Sequence, residues 1–323
     1  MAATRAKDLR GAAFRAATNT LVEDFRSRRP LRTGSLLISI FGDAIAPHGG
    51  AVWLGSLINS VEPFGINQRL VRTSVFRLVK DGWLQSEQIG RRSYYSLTAE
   101  GSRRFEDASR RIYSEPRENW DGEWCLVMLA GVDSLHRDDI RKELSWQGFA
   151  PFSANVLAHP SPDHARLEES LQQLNGNDDV LVMSASASDN RTQYLRELVH
   201  DAWALRDLDD RYQAFLERFR PVFNAARKSA DIEPEQAFQA RTLLIHEYRK
   251  ILLRDPSLPD ALLPERWNGV AAYQLCRNIY SLVAEPAEAF LTARMESADG
   301  PLPPADNSFW MRFGGINNRD DKG

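Results

Sequence analysis

Residues 67–98 read NQRLVRTSVFRLVKDGWLQSEQIGRRSYYSLT, and this stretch decides the fold of the N-terminal third of the chain. Its first part predicts a basic helix that ends near Asp81 and Gly82. Residues 83–88 and 93–97 predict two strands that meet at Gly90-Arg91-Arg92. The apolar positions repeat at helical spacing and are expected to face a core, and they are Leu70, Val71, Val75, Leu78 and Val79.

Two short apolar segments precede the basic helix. The first has Thr33 as a predicted N-cap and stops at Pro47, and the second starts near Trp53 and ends before Pro63. Two helices, a tight turn, a basic helix and a hairpin form the order of elements in a winged helix-turn-helix, whose basic helix enters the major groove of DNA. The sequence therefore predicts such a domain, with a connector helix, over residues 31–115.

The candidate DNA-binding residues lie on the basic helix and at the hairpin tip. Arginine can bind a guanine edge through two hydrogen bonds, whereas Thr and Ser reach phosphate or base. A basic helix can also be an ordinary solvated surface. Here the preceding helices and the basic hairpin favour DNA. The predicted contact residues are Asn67, Gln68, Arg69, Arg72, Thr73, Arg77, Arg91, Arg92 and Ser93.

Positive charge is concentrated in the first third of the chain. Residues 1–113 contain 18 Lys and Arg against 10 Asp and Glu, whereas residues 114–323 contain 23 against 34. Because phosphate neutralisation supplies most non-specific DNA affinity, this asymmetry indicates a polyanion bound by the N-terminal module. Residues 1–30 are predicted to be a mobile or partly helical basic arm, either a solvated extension or an accessory DNA contact.

The remaining sequence predicts three further parts. Strands alternate with helices over residues 118–192, which is typical of a small α/β sandwich of the ferredoxin-like type. Residues 193–297 predict a helical C-terminal domain, and residues 298–323, rich in Pro, Gly and Asn, a flexible tail. The expected fold class is therefore α+β, with a winged helix-turn-helix, a ferredoxin-like middle domain and a helical C-terminal domain.

Several classes of protein lack support in the sequence. The chain has 323 residues, enough for two or three domains, and its two cysteines, Cys125 and Cys276, are far apart. It has no apolar run of membrane-spanning length, so we expect a cytoplasmic protein without membrane contact. His246-Glu247 lacks the second His of a zinc-protease helix, and no nucleophile, phosphate or dinucleotide motif is present. We therefore predict no catalytic residue, no metal and no cofactor.

A second group of candidate residues lies in the helical domain. His246, Arg249 and Arg254 are placed among the apolar positions of residues 243–256, and Trp267 follows. Cations beside aromatic rings can cap helices and form ion pairs within the fold, or they can form a pocket for an anionic, aromatic effector. The residue pattern leaves both interpretations open.

Four motifs, in this order, support a resemblance to a known family. They are VRTSVFRL at 71–78 with DGWL at 81–84; GRRSYYSLT at 90–98; WDGEW at 120–124; and HEYR at 246–249, continued by RDP at 254–256, LLP at 262–264 and WNG at 267–269. From about Leu31 to Leu291 the chain resembles PaaX, the GntR-like repressors of phenylacetic acid catabolism.

That resemblance implies the three domains above, with a middle domain similar to the CRISPR-associated nuclease fold. It also implies repression of a phenylacetate operon and release from operator DNA by phenylacetyl-CoA, with His246, Arg249, Arg254 and Trp267 as the first effector contacts to test. A homodimer on a near-palindromic operator is expected. The alternatives are a nuclease or acyl-CoA-processing enzyme with the same domains, or a repressor of another aromatic pathway.

Overall fold

The structure, a computed structural model, describes residues 2–115, 120–174, 179–186 and 192–316. It contains both helices and sheets, which confirms the α+β class. Two compact units are present: residues 1–115, 214–250 and 271–323 form the first, and residues 116–213 and 251–270 form the second. The predicted helical domain, residues 193–297, thus contributes to both units.

The N-terminal part of the first unit, over residues 2–115, contains five α-helices and a small sheet. The helices are α1 (Ala2–Ser27), α2 (Thr33–Ile40), α3 (Leu54–Val61), α4 (Gln68–Lys80) and α5 (Ala99–Tyr113). The strands are β1 (Ala51–Trp53), β2 (Leu84–Ile89) and β3 (Arg92–Leu97), antiparallel in the order β1-β3-β2. The sequence prediction missed β1 because this strand has only three residues and pairs with residues 94–96, far along the chain.

Residues 1–30 were predicted to be mobile or partly helical, and the structure has the helical form: α1 packs where its side chains are described, so residues 14–25 are not a solvated extension. Its buried side chains repeat at helical spacing and are Phe14, Thr18, Leu21, Val22 and Phe25. Arg28, which follows the helix, pairs with Asp24 at 2.9 Å and with Glu247 at 2.8 Å. The many Ala and Arg residues between the buried positions make this periodicity hard to recognise in the sequence.

The C-terminal helices are α9 (Leu205–Lys228), α10 (Pro234–Leu252) and α11 (Asn268–Arg294). A short hairpin of β8 (Glu296–Ser297) and β9 (Gly300–Pro301) follows, and then helix α12 (Asn307–Trp310). Phe309 and Phe313 are almost fully buried. The prediction of a flexible tail is therefore wrong for residues 298–316, whose aromatic side chains pack into the first unit; residues 317–323 lie outside the described residues.

The second unit has a β-α-β-β-α-β order. Its elements are β4 (Glu123–Met128), α6 (Ser134–Trp146), β5 (Ala150–Ser153), β6 (Val156–His159), α7 (His164–Gln173), β7 (Leu181–Ser186) and α8 (Thr192–Ala202). The sheet is antiparallel in the order β5-β6-β4-β7. Successive residues of β4 serve two cores: Cys125 and Val127 pack with Ile140 of α6, and Trp124 packs with Val199 of α8.

Candidate nucleic-acid interface

The start and end of helix α4 follow from its flanking residues. The side chain of Asn67 accepts a hydrogen bond from the backbone N–H of Leu70 at 3.0 Å, which caps the helix. Gly82, with φ of 73°, ends it in a left-handed conformation that suits glycine. Asn67, predicted from the sequence as a DNA contact, is thus the N-cap of the basic helix.

Helix α4 has one buried face and one exposed face. Val71, Val75 and Leu78 are buried, and α2 packs against α4. The predicted core position Leu70 is instead 37% exposed, which corrects its assignment to the core. The exposed side chains of the helix are Gln68, Arg69, Leu70, Arg72, Thr73, Phe76, Arg77 and Lys80.

The cations of this exposed face are free of ion pairs. Across the described ranges no carboxylate pairs with Arg69, Arg72 or Arg77, and α4 itself contains no acidic residue. With the Gln68 amide oriented to suit its neighbours, its oxygen accepts hydrogen bonds from Nε and Nη2 of Arg72 at 3.1 and 2.9 Å. The hydroxyl of Thr73 donates to the carbonyl of Arg69 at 2.9 Å. The face thus presents uncompensated positive charge to solvent.

The hairpin tip contains two arginines in different states. Gly90, with φ of 62°, makes the turn, and Ile89 pairs with Arg92 as the last register position. Arg91 is exposed and lacks an ion pair among the described residues. Arg92 forms an ion pair with Glu296 at 2.6 Å, and its guanidinium lies 4.3 Å from the centre of the Trp53 ring. The half-buried Ser93 lies opposite Gln88.

The predicted effector residue His246 is buried in the first unit. Its Nδ1 lies 3.0 Å from the hydroxyl oxygen of Ser39, and its ring meets Phe25 edge-on at 5.8 Å. Burial lowers the pKa of His246 to about 3, although the charge of Glu247 acts in the opposite direction. His246 is therefore a neutral core residue at pH 7.

Arg249 has no carboxylate partner in the described part of the chain. Its Nη2 donates to the backbone carbonyl and the hydroxyl of Ser35 on α2, at 3.3 and 3.2 Å, and its Nε is buried without a hydrogen bond. Burial lowers the pKa of this guanidinium. Ser35 offers only neutral oxygen atoms, so no described residue of this unit compensates the positive charge of Arg249.

Arg254 and Trp267 belong to the second unit, so the four predicted effector residues divide between the two units. Arg254 is exposed. Trp267 is half-buried and meets Tyr212 edge-on at 5.6 Å, while the hydroxyl of Tyr212 donates to Asp255 at 2.5 Å. These contacts make Trp267 part of the packing of its own unit.

A buried ionic network in the first unit was not predicted. Asp43, in a π-helical turn after α2, accepts hydrogen bonds from Arg241 at 2.7 Å and Arg312 at 3.1 Å. It also accepts from the hydroxyls of Tyr113 at 2.6 Å and Tyr280 at 2.8 Å. The signal in the sequence is a charged residue in an apolar segment, as in FGDAIAP at 41–47 and WMRFGG at 310–315.

The protonation states in this network depend on two opposing effects, burial and ion pairing. Burial alone raises the pKa of Asp43, but Arg241 and Arg312 outweigh it and hold that pKa below its usual value. Arg241 also donates to Glu288 at 2.6 Å, and the ring of Tyr113 lies 4.3 Å from the guanidinium of Arg312. Each buried charge thus has a partner, as stable burial of charge requires.

Within the described ranges, no group of three or more His, Cys, Asp and Glu side chains is placed to hold a metal ion. Nor does any helix in those ranges combine the length and the apolarity needed to cross a bilayer. The exposed basic face of α4 with the hairpin tip is the strongest candidate site.

With this surface, the chain belongs to the class of proteins that present a basic helix and a basic hairpin to a polyanion. Three family descriptions match: "PaaX-like protein" over residues 32–101, "PaaX protein central Cas2-like domain" over 117–198, and "PaaX-like protein C-terminal domain" over 203–293. The chain is 38% identical over 301 residues to the transcriptional repressor PaaX of Escherichia coli, covering 93% of this chain and 95% of that protein. It belongs to the PaaX-like family, which confirms the resemblance seen in the sequence.

A solved structure is also similar, the uncharacterized protein Rv0674 from Mycobacterium tuberculosis. It is 21% identical, with a TM-score of 0.46, and the match covers 73% of this chain and 89% of that one.

Proposed function

We propose that this protein is a transcriptional repressor that binds operator DNA through α4 and the β2–β3 hairpin. The observation that carries the proposal is the exposed face of α4, on which Arg69, Arg72 and Arg77 lack carboxylate partners across the described ranges. The name and 38% identity of the Escherichia coli relative support repression rather than catalysis. Such a repressor meets its DNA in the cytoplasm.

We assign the finer fold on the order of the elements. Helices α2, α3 and α4 followed by the hairpin form a winged helix-turn-helix with α4 as its recognition helix. The β-α-β-β-α-β order of the second unit, with sheet order β5-β6-β4-β7, supports a ferredoxin-like fold. In this assignment α4 enters the major groove and Arg91 reaches the neighbouring backbone. A homodimer would place two such helices about one helical turn of DNA apart.

The DNA proposal is tested by recovering fragments bound to the purified protein from genomic DNA and sequencing them. We expect one enriched near-palindromic site beside genes for aromatic catabolism, and phenylacetate genes in particular. Fluorescence anisotropy with that fragment and a scrambled fragment then gives the specificity ratio at one stated salt concentration. Equal affinity for the two fragments would contradict sequence-specific repression.

We infer further that an acyl-CoA, phenylacetyl-CoA by the family resemblance, releases the repressor by binding at Arg249. A CoA ester is anionic at its nucleotide end, and Arg249 is a largely buried cation without a carboxylate partner in the described part of the chain. An anion that draws Arg249 away from Ser35 would loosen α2, against which α4 packs. The effector shifts the equilibrium only by its differential affinity for the two arrangements.

The second unit offers a cleft that suits this anion less well. The cleft measures about 480 Å³ and is lined in part by Trp120, Trp124, Asp121 and Glu123. Its two carboxylates would repel phosphate groups, whereas Arg249 attracts them. Charge therefore favours Arg249 for the anionic end of the effector.

Calorimetry of phenylacetyl-CoA against phenylacetate tests the effector proposal. We expect heat for the thioester and none for the free acid, and a loss of thioester binding in Arg249→Gln. Arg206→Gln, an exposed cation of the second unit, is the matched control and should bind as the wild type does. Equal binding of the free acid, or unchanged thioester binding by Arg249→Gln, would contradict the proposal.

A further inference from the structure

Phe76 is an exposed aromatic side chain on the basic face of α4. Its side chain is 70% exposed, whereas Val71, Val75 and Leu78 of the same helix are buried. In the described residues Phe76 makes no contact with another aromatic ring. Packing within the first unit therefore does not explain a phenyl ring at this position, and water solvates such a ring poorly.

The position of Phe76 is central to the exposed face. Arg69, Thr73, Phe76 and Lys80 follow one another at intervals of four, three and four residues, so they lie along one stripe of the helix. The buried residues Val71, Val75 and Leu78 occupy the opposite side. Any partner that contacts the cations of this stripe must also meet the ring of Phe76.

Charge and apolarity together define that partner. The stripe has cations on both sides of Phe76 and no carboxylate, so it complements a polyanion and disfavours a basic or purely apolar surface. The partner must also present an apolar group at the place where the ring of Phe76 reaches it. The floor of the DNA major groove displays one such group, the C5-methyl of thymine.

We propose that Phe76 is a specificity-determining residue that packs against the C5-methyl group of a thymine in the operator. The proposal rests on the DNA-binding function assigned to α4 and adds a base preference that the arginines cannot supply, because hydrogen bonds from Arg recognise guanine. Thr73, one turn earlier, donates its hydroxyl proton to the backbone carbonyl of Arg69, so it is not free to donate that proton to a base.

The test replaces each thymine of the bound operator fragment in turn by uracil, which lacks only the methyl group. The wild type should bind about three- to fivefold more weakly at one thymine in each half-site, the factor expected for burial of one methyl at ~0.8 kcal/mol. Phe76→Ala should bind the thymine fragment more weakly and should not distinguish it from the uracil fragment. Because Phe76 is exposed, this variant should unfold at the wild-type temperature.

Arg77→Ala is the matched control from the same face: it should lose affinity for both fragments and keep the preference for thymine. Equal binding of every thymine and uracil fragment by the wild type would overturn the proposal. So would a preference for thymine that persists in Phe76→Ala, or unchanged DNA affinity in that variant, which would assign the ring to a protein partner. Failure of the wild type to select any DNA fragment would refute the proposed function itself, before any uracil substitution is made.

Discussion

The arginines of α4 and the arginines around Asp43 are the same residue type in opposite physical states. Arg69, Arg72 and Arg77 are exposed and lack carboxylate partners among the described residues, whereas Arg241 and Arg312 are buried and hydrogen-bonded to Asp43. A cation left in water costs the fold little and remains available to a ligand. A buried cation that is compensated inside the protein, as Arg241 and Arg312 are by Asp43, specifies the fold and is closed to a ligand.

The largest effect is expected at the buried network. Asp43→Asn removes the charge that compensates Arg241 and Arg312, and loss of one partner of a buried ion pair costs about 3–5 kcal/mol. Urea unfolding of the variant should show a loss of that order. Glu106→Gln, an exposed carboxylate of the same unit, should be nearly neutral. If Asp43→Asn were as stable as the wild type, Asp43 would not be needed to compensate the buried arginines, and these would not differ from the arginines of α4 in their role in the fold.

The next largest effect is expected on the exposed face. Arg72→Ala or Arg77→Ala should weaken operator binding by about 1–3 kcal/mol if the side chain reads a base, and should leave the unfolding temperature unchanged. Anisotropy and thermal unfolding of the same preparations measure both quantities. Arg294→Ala, an exposed arginine at the end of α11, is the control. If affinity were unchanged in both α4 variants, the recognition-helix assignment would be wrong.

The buried His246 should make the stability of the fold depend on pH. Its pKa is about 3 in the fold against about 6.5 when unfolded, so below pH 6.5 the unfolded chain binds a proton that the native chain does not. The stability contribution is complete above pH 6.5 and declines as the pH falls towards 3. Between pH 7 and 5.5 the wild type should lose about 1 kcal/mol more than His246→Gln.

Urea unfolding at the two pH values measures this difference. Parallel pH curves for the wild type and His246→Gln would show that His246 accepts protons in the native state and is accessible to a ligand.

The smallest effect is expected at Arg92. This residue is partly exposed, as the arginines of α4 are, and ion-paired, as the arginines around Asp43 are. Glu296→Gln removes its ion pair and frees its charge for phosphate. The slope of log K against log salt should steepen by at most about 0.9, the value of one phosphate contact. Asp299→Asn, in the same C-terminal hairpin, is the control. A slope that does not change would exclude Arg92 from the DNA interface.

The sequence predicted an element well where the residues of that segment alone determine where it ends or turns. The basic helix ends near Asp81 and Gly82 and the hairpin turns at Gly90, as the sequence indicated, because helix-ending and turn chemistry are local. Strand β1 was missed because its partner β3 is distant in sequence, and β5 was missed because Pro151 within a four-residue run argues against a strand. The packed tail was missed because Phe309 and Phe313 gain their burial only from the tertiary fold.

The sequence predicted where the candidate DNA-binding residues lie, but not which of them are ion-paired or buried. The sequence placed Arg92 at the hairpin tip, yet it could not show that Glu296, 204 residues later, pairs with it. His246 and Arg249 are separated by three positions, but one is a neutral core residue and the other an uncompensated cation. Phe76 was counted with neither the core nor the site, because helical spacing alone does not tell a ring at the edge of the core from one on the exposed face.

Binding of DNA by α4 and the hairpin is tested by amide hydrogen exchange of the full chain with and without its operator fragment, which locates the DNA without altering the protein. We expect added protection over residues 67–97, which hold α4 and the hairpin, and none from a scrambled fragment at the same salt concentration. Protection confined to the second unit, with residues 67–97 exchanging as in the free protein, would show that this surface does not bind the operator.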